Sequence, residues 1–322
     1  MIAVTGAAGF IGSQIALNLA KNKEKLLLVD RMVAFHERKY TPASNQIQFI
    51  EADGPFFDWL KTDSAKDLSC IIHMGAITNT AETDLKALAK WNVDYTKNLW
   101  KFCQEQNVNF IYASSAATYG DGTAGFGDDP QSTAVLKPLN AYGRSKQEFD
   151  LFALAQSKTP PHWYGVKYFN VYGPNEFHKG RMASAVWHGY NEIKKTGAMT
   201  LFKSHNPQVN DGDQARDFIF ISDVLQIIDF LNEKKPENGI YNVGTGHAGT
   251  FKNLAEALFG ALKQPMKINW VETPTEFRAA YQYRTEAQVD KLRAAGWTKD
   301  FTPLRQGVED YLKVLTTISR FS

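Results

Sequence analysis

Tyr142 and Lys146, in the stretch NAYGRSK, stand four residues apart, so on a helix their side chains share one face. A phenol ionises at a pKa of about 10, too high for a base at neutral pH, and a nearby ammonium favours the phenolate and lowers it. The pair therefore reads as a proton-transfer unit. Ser115, at the end of the strand-like run in YASSAATYG, reads as the group that hydrogen-bonds a substrate hydroxyl and orients it. Ser114 beside it is expected to turn away from the site, because side chains alternate along a strand. Spacing alone does not single out the pair, since Tyr190 and Lys194 in YNEIK repeat it. Only Tyr142 follows a strand ending in hydroxyls, and Tyr190 reads as a helix-surface or packing residue. Lys179, on the loop within VKYFNVYGPNEFHKGRMASAVWH, leaves chemistry and a solvated charge both open.

A second group of residues asks for a phosphate. VTGAAGFIG sets Gly6, Gly9 and Gly12 in a G-x-x-G-x-x-G turn between a strand and a helix. Such a turn brings backbone N–H groups and the helix N-terminus against a pyrophosphate with no Cβ in the way. Asp30, closing KLLLVD, suits the ribose hydroxyls of NAD. Arg31 after it, with Arg38 and Lys39 in HERKY, suits the 2′-phosphate of NADP. The residues lean toward NADP and leave NAD open. With a nicotinamide cofactor downstream of this turn, Lys146 would also hold its ribose, and Ser115 would orient a hydroxyl for hydride loss to the nicotinamide.

The elements that must position these groups follow from periodicity. The runs IAVTG, KLLLVD, IQFIEAD, CIIHMGA, NFIYASS and WYGVKYFN alternate with helical patterns, the signature of βαβ units and a parallel sheet covered on both faces. TDLKALAKWNVDYTKNLWKFCQEQNV carries the helical period, with Leu85, Leu88, Trp91, Tyr95, Leu99 and Phe102 expected on one buried side. After Phe169 the alternation stops and prolines and glycines recur. A strand and helix in RDFIFISDVLQIIDFL and a strand in GIYNVGTG then return, so two domains exchange chain more than once. The expected fold is α/β, a Rossmann-type doubly wound parallel sheet with a smaller C-terminal substrate-binding α/β domain. Its boundaries are expected at 1–169 and 214–243 for the dinucleotide domain, and at 170–213 and 244–322 for the other.

Composition excludes several classes. The chain has 322 residues, 43% of them hydrophobic, enough for two domains with cores of their own. Its 36 basic and 34 acidic residues leave a net charge of +2, so nothing points to a nucleic-acid or membrane-surface binder. Cys70 and Cys103 fall in an apolar strand and a helix and read as reduced core residues. The seven histidines show no i,i+4 ligand pair, so no metal is expected. The opening MIAVTGAAGFIG has no charged n-region followed by an apolar stretch, and a cytoplasmic protein is expected.

Through TGAAGFIG, ASSAATYG, YGRSK, RDFIFISDV and YNVGTG, the chain is similar nearly end to end to the extended short-chain dehydrogenases/reductases that act on nucleotide sugars. More narrowly, YASSAATYG, YFNVYGP, HKGRMAS and LRAAGW resemble the ADP-L-glycero-D-manno-heptose 6-epimerase family. That resemblance implies an ADP-heptose substrate, tightly held NADP, a cytoplasmic step toward the lipopolysaccharide inner core, and a homo-oligomer, pentameric in the family. It implies proton transfer by Tyr142 and, on the other side of the sugar, by Lys179, with Ser115 and Lys146 completing the catalytic group. Phe10, Ile11, Asp30, Arg31 and Lys39 match cofactor positions, as do Gly75, Ala76, Asn92, Lys146 and Val171. Asn170, Arg181, His188, Phe202, Arg216 and Tyr281 match positions that hold the sugar or its nucleotide.

The sequence departs from the family's pattern at Arg181, where a small residue is usual, in the longer loop HNPQVNDGDQA before Arg216, and in EADGPFFDWL, which lacks a lysine. Inverting an unactivated carbinol requires that carbon to become planar and to accept hydride on its other face. Rotation of the intermediate moves its oxygen, which is the use of a second acid/base group such as Lys179. A 4-epimerase has less need of that lysine. A dehydratase places Asp-Glu where Ala116 and Ala117 stand here, and a non-catalytic NADP-binding protein commonly loses the tyrosine or the lysine.

Overall fold

The computed structural model describes the chain except residues 41, 43, 279, 280 and 319–322, together with the side chains of 276, 277 and 318. The last four residues of the second expected domain thus lie outside the described residues. Two compact units emerge, and the chain passes between them five times. The first gathers Met1–Gly120, Asp128–Tyr168 and Leu225–Tyr241; the second gathers Asp121–Gly127, Phe169–Val224 and the described residues from Asn242 onward.

In the first unit the strands are β1 (Ile2–Thr5), β2 (Leu26–Asp30), β3 (Ile47–Glu51), β4 (Cys70–His73), β5 (Asn109–Ser115) and β6 (Trp163–Tyr168). All six apolar runs read as strands are strands. Between them lie α1 (Phe10–Lys21), α2 (Met32–Arg38), α3 (Gly54–Trp59), α4 (Leu85–Leu88), α5 (Tyr95–Gln106), α6 (Pro130–Ala134) and α7 (Ala141–Leu154). The second unit contributes β7 (Asn170–Tyr172), α8 (Ala185–Thr196), β8 (Met199–Phe202), β9 (Ala215–Arg216) and β10 (Phe218–Phe220). Helix α9 (Ile221–Lys234) then leads back, and β11 (Gly239–Val243) completes a seven-stranded sheet of order β11-β6-β5-β4-β1-β2-β3. The pairings from β3 through β6 are parallel. The order runs outward in both directions from the β1–β4 neighbours, the switch point at which Rossmann-type sheets bind ligands.

The remaining elements are β12 (Gly249–Thr250), α10 (Phe251–Leu262), β13 (Ile268–Val271), α11 (Thr275–Arg278), α12 (Asp290–Ala294) and α13 (Leu304–Ile318). Each unit has its own core. Trp100, Phe110, Tyr112 and Phe149 centre the first, while Tyr172, Leu254, Leu258 and Tyr311 centre the second. Residues 121–127 and 214–224 pack in the second unit, although the sequence reading grouped them with the first domain. Local pairing explains the latter stretch, since β10 bonds to β7 and β9 to β12.

The helical stretch after residue 84 is not one regular helix. Asp84 caps α4 by accepting from Lys86 N and Ala87 N, a π-helical turn occupies Ala89–Asp94, and α5 follows. A π-turn adds a residue to the repeat. Leu88, Tyr95 and Leu99 are buried and Trp91 and Phe102 pack against the core, as expected, while Leu85, the first residue of α4, is 63% exposed; Trp100 and Cys103 are buried in the core as well. Both cysteines are free and buried. Among the described residues no helix is long and apolar enough to cross a membrane, and no group of three or more His, Cys, Asp or Glu could hold a metal ion.

Candidate functional site

At the switch point the loops after β1 and β4 touch. Gly6 has φ +66°, and a Cβ there would lie 2.6 Å from Gly75 N, so both the backbone angle and the space demand glycine. A Cβ on Gly12 would lie 2.1 Å from Gly6 O, which shows how closely α1 presses on the turn. Gly9 is the N-cap of α1, with no side-chain cap and no acid in the first turn. The positive end of a twelve-residue helix is thus left uncapped behind a glycine turn, an arrangement that fits a pyrophosphate. Phe10 is buried and Ile11 half-buried, while Gly75 and Ala76 are half-buried on the adjoining loop.

Asp30 braces the turn: Oδ2 accepts from Ala8 N at 3.0 Å and Oδ1 from Arg31 N at 2.8 Å. Arg38 reaches back from the end of α2 to donate to Ala8 O at 3.0 Å, which ties the basic loop to the glycine turn. The side chains of Arg31 and Lys39 are exposed. Asn92 is almost wholly buried and acts within the protein. It donates to Ile77 O and Ser145 Oγ, both at 3.0 Å, and accepts from Ile77 N at 2.8 Å, joining the loop after β4 to α7.

Helix α7 begins at Asn140, whose side chain caps it through Gly143 N at 2.7 Å. It brings Ser115, Tyr142 and Lys146 together. Ser115 stands beside Tyr142, near enough to lower the pKa of its phenol, and its Oγ accepts from Ala117 N at 3.1 Å. Lys146 Nζ donates to Ala113 O at 2.9 Å. The electrostatics differ from the expected effect of a neighbouring ammonium. Burial raises the Tyr142 hydroxyl above its ordinary value, Ser115 pulls it down, and the Asp150 carboxylate pushes it up. Burial lowers the Lys146 ammonium to about 8, with Asp150 opposing. Ser114 does turn away, donating to Asp150 Oδ2 at 2.7 Å.

The second unit positions the remaining candidates. Lys179 lies in a short 3-10 segment, Phe177–Met182, and its N–H donates to Glu176 O at 2.9 Å. The Glu176 side chain is fully buried and accepts from Ser184 Oγ at 2.8 Å and Gly173 N at 3.3 Å, pinning the loop. Lys179 is half-buried, and burial lowers its pKa while Glu176 raises it. Arg181 is exposed, and its carbonyl accepts from His188 Nε2 at 3.3 Å. Arg216 lies between two rings, 5.7 Å from Tyr281 and 5.8 Å from Phe251. Asn170 and Val171 are in β7, paired with β10, and Phe202 at the end of β8 is 38% exposed. Tyr190 packs in the core of this unit.

Sequence reasoning missed the buried hubs. Asp217, next to Arg216, accepts from Thr245 N, Thr245 Oγ1, Gly246 N and Ala287 N. His73, on β4, lies between the Thr5 and Thr96 hydroxyls at 2.6 and 3.0 Å, and burial lowers its pKa to about 3. Lys167 pairs with Asp150 inside the first unit. The available signal was a charge set in an otherwise apolar run, such as the lysine of WYGVKYFN, which must find a partner when buried.

The NAD dependent epimerase/dehydratase family matches residues 2–244 of the chain. A Fusobacterium nucleatum protein named ADP-L-glycero-D-manno-heptose-6-epimerase is 42% identical over 329 residues, covering 97% of each chain. A protein of the same name from Nitratidesulfovibrio vulgaris is 41% identical, again covering 97% of both. Among solved structures, the Helicobacter pylori ADP-L-glycero-D-manno-heptose-6-epimerase superposes with a TM-score of 0.79 at 27% identity, covering 98% of this chain and 96% of that one.

Proposed function

The chain belongs to the NAD dependent epimerase/dehydratase family and, within it, to the ADP-L-glycero-D-manno-heptose-6-epimerases, and we propose that it interconverts the D-glycero and L-glycero forms of ADP-manno-heptose by transient oxidation and re-reduction at C-6. The observation that carries this reading is the placement of Ser115, at the end of β5, beside Tyr142 on the helix that also bears Lys146, in a chain so similar to proteins of that name. A bound nicotinamide dinucleotide supplies the acceptor and donor of the hydride. In one orientation of the sugar Tyr142 takes the proton of the C-6 hydroxyl as hydride leaves that carbon, and in the reverse direction it gives that proton back, with Ser115 holding the oxygen in line. A tyrosine raised by burial is protonated at rest and suited to the step in which the proton is given back, while Lys146, one turn along the helix, is suited to the ribose of the dinucleotide. Lys179 gives the proton to the oxygen in the second orientation of the sugar and takes it in the reverse direction, and its lowered pKa makes its ammonium a readier donor and its free amine more available than those of an exposed lysine.

NADP is the preferred dinucleotide. Arg31 and Lys39 are exposed and Arg38 is tied to the glycine turn, a basic group suited to a 2′-phosphate, and both Asp30 oxygens already accept backbone N–H groups. The nucleotide end of the substrate falls to Arg216 and Tyr281, with Asn170, Arg181, His188 and Phe202 on the sugar, in a cytoplasmic homo-oligomer. The test is incubation of the purified chain with ADP-D-glycero-D-manno-heptose, following the configuration at C-6 by NMR. Conversion to a mixture of epimers with no net dinucleotide consumed is expected, and a substrate left unchanged would refute the reading. Lys179→Met should fold, retain NADP and epimerise poorly; a near-normal rate would return the proton transfer to Tyr142 alone.

A further inference from the structure

Behind Ser115 and Tyr142 lies an ion pair with no part in that chemistry. Asp150 Oδ2 and Lys167 Nζ are 3.3 Å apart and both side chains are 0% exposed. Tyr112 OH donates to Asp150 Oδ1 at 3.0 Å, and Ser114 Oγ donates to Oδ2 at 2.7 Å. Lys167 Nζ donates to Thr118 Oγ1 at 3.0 Å and stands 4.8 Å from the centre of the Tyr119 ring. Lys167 lies opposite Ser114 in the β5–β6 register.

Placement gives the pair its meaning. Tyr142, Lys146 and Asp150 recur every four residues along one face of α7. They meet three consecutive residues of β5: Tyr142 stands beside Ser115, Asp150 accepts from Ser114 Oγ, and Lys146 donates to Ala113 O. Replacing a buried ion pair by apolar residues is often neutral or stabilising, so stability alone is a weak reason to find one here. We propose that Asp150 and Lys167 are positioning residues for proton transfer: Asp150 locks the working face of α7 onto β5, Lys167 holds Asp150 there, and the pair sets the electric field in which Lys146 and Tyr142 work.

The neighbouring groups leave few other charges to do this. His73, from β4, is neutral at working pH because burial, and then Lys146, hold its pKa near 3. Tyr112, from β5, is pushed well above its ordinary value by burial and by Asp150, and stays neutral. Asp150 raises both Lys146 and Tyr142, and Lys167 offsets its charge. The proposal rests on the epimerase reading only for what the tyrosine does, and its test needs no turnover.

The full chain, with lysine labelled with carbon-13 at Cε, is titrated by NMR, and the Lys146 signal is identified by its loss in Lys146→Met. The wild-type midpoint is expected near 8. Asp150→Asn should lower it by about one unit, Lys167→Met should raise it, and Lys167→Arg should restore the wild-type value. Should a single variant fail to fold, the double variant Asp150→Asn/Lys167→Met, which buries no lone charge, still lowers the midpoint, because Asp150 is one helical turn from Lys146. An unchanged midpoint in Asp150→Asn, or in the double variant where the single does not fold, overturns the proposal. A shifted midpoint in a chain that fails to epimerise ADP-heptose would uphold it and remove the epimerase reading instead.

Discussion

Tyr142 and Lys146 are each held against their ionisation preferences, one kept protonated by burial and the other pressed toward neutrality. Removing the phenol oxygen in Tyr142→Phe keeps the packing, so turnover should fall by about 10²- to 10⁴-fold while the dinucleotide is retained. Tyr190→Phe, with the same Tyr-x-x-x-Lys spacing, should stay near wild type; equal losses in a steady-state assay would mean that the wrong pair is assigned. Lys146 also allows a stability prediction. Its folded pKa of about 8 lies below the ordinary 10.5, so the unfolded chain binds more protons between those values and stability rises with pH across that window. At neutral pH the folded chain carries the full penalty of a buried ammonium. Lys146→Met should then be more stable by on the order of 1–3 kcal/mol in urea unfolding at pH 7, with the gain shrinking toward pH 10. A destabilised variant would show that the bond to Ala113 O outweighs burial. The proton-transfer pair was legible because its spacing is local. Asp150 with Lys167 and Asp217 with Thr245 were not, because the partner of a buried charge lies far away in the chain and periodicity carries no trace of it.

The glycine turn and the helix it opens act as one element. Gly12→Ala drives a Cβ into the Gly6 carbonyl, backbone against backbone, so either α1 or the turn must move. Loss of bound dinucleotide and a destabilisation of about 1–3 kcal/mol are expected, read by cofactor release and thermal unfolding. Gly54→Ala is the control, since its Cβ meets nothing within 4 Å at the start of α3, and it should be neutral or slightly stabilising. All six strands of the first half could be read from their apolar runs. The buried face of the stretch after Asp84 was largely legible too: Leu88, Tyr95 and Leu99 are buried and Trp91 and Phe102 pack against the core, while Leu85, the first residue of α4, is exposed. Residues 214–224 cluster with the second unit because β9 and β10 are only two and three residues long, and what decides their place is the strand each one pairs with.

At the scale of the molecule, each unit closes a core of its own from segments scattered along the chain. The edge of the large sheet beside β6 is completed by β11, which comes after the whole of residues 169–224. Every residue of β6 and of β11 is buried in the finished structure. On the ribosome this imposes a wait. A nascent chain that has emerged through Tyr168 presents an apolar strand with an open edge, the kind of surface that recruits other chains before its own partner exists. Leu225–Tyr241 must arrive before the sheet can close, and Asn18 gains the Asp229 carboxylate only then. A fragment ending at residue 168 should therefore aggregate when expressed alone, whereas one that runs on through Val243 regains the partner of that edge.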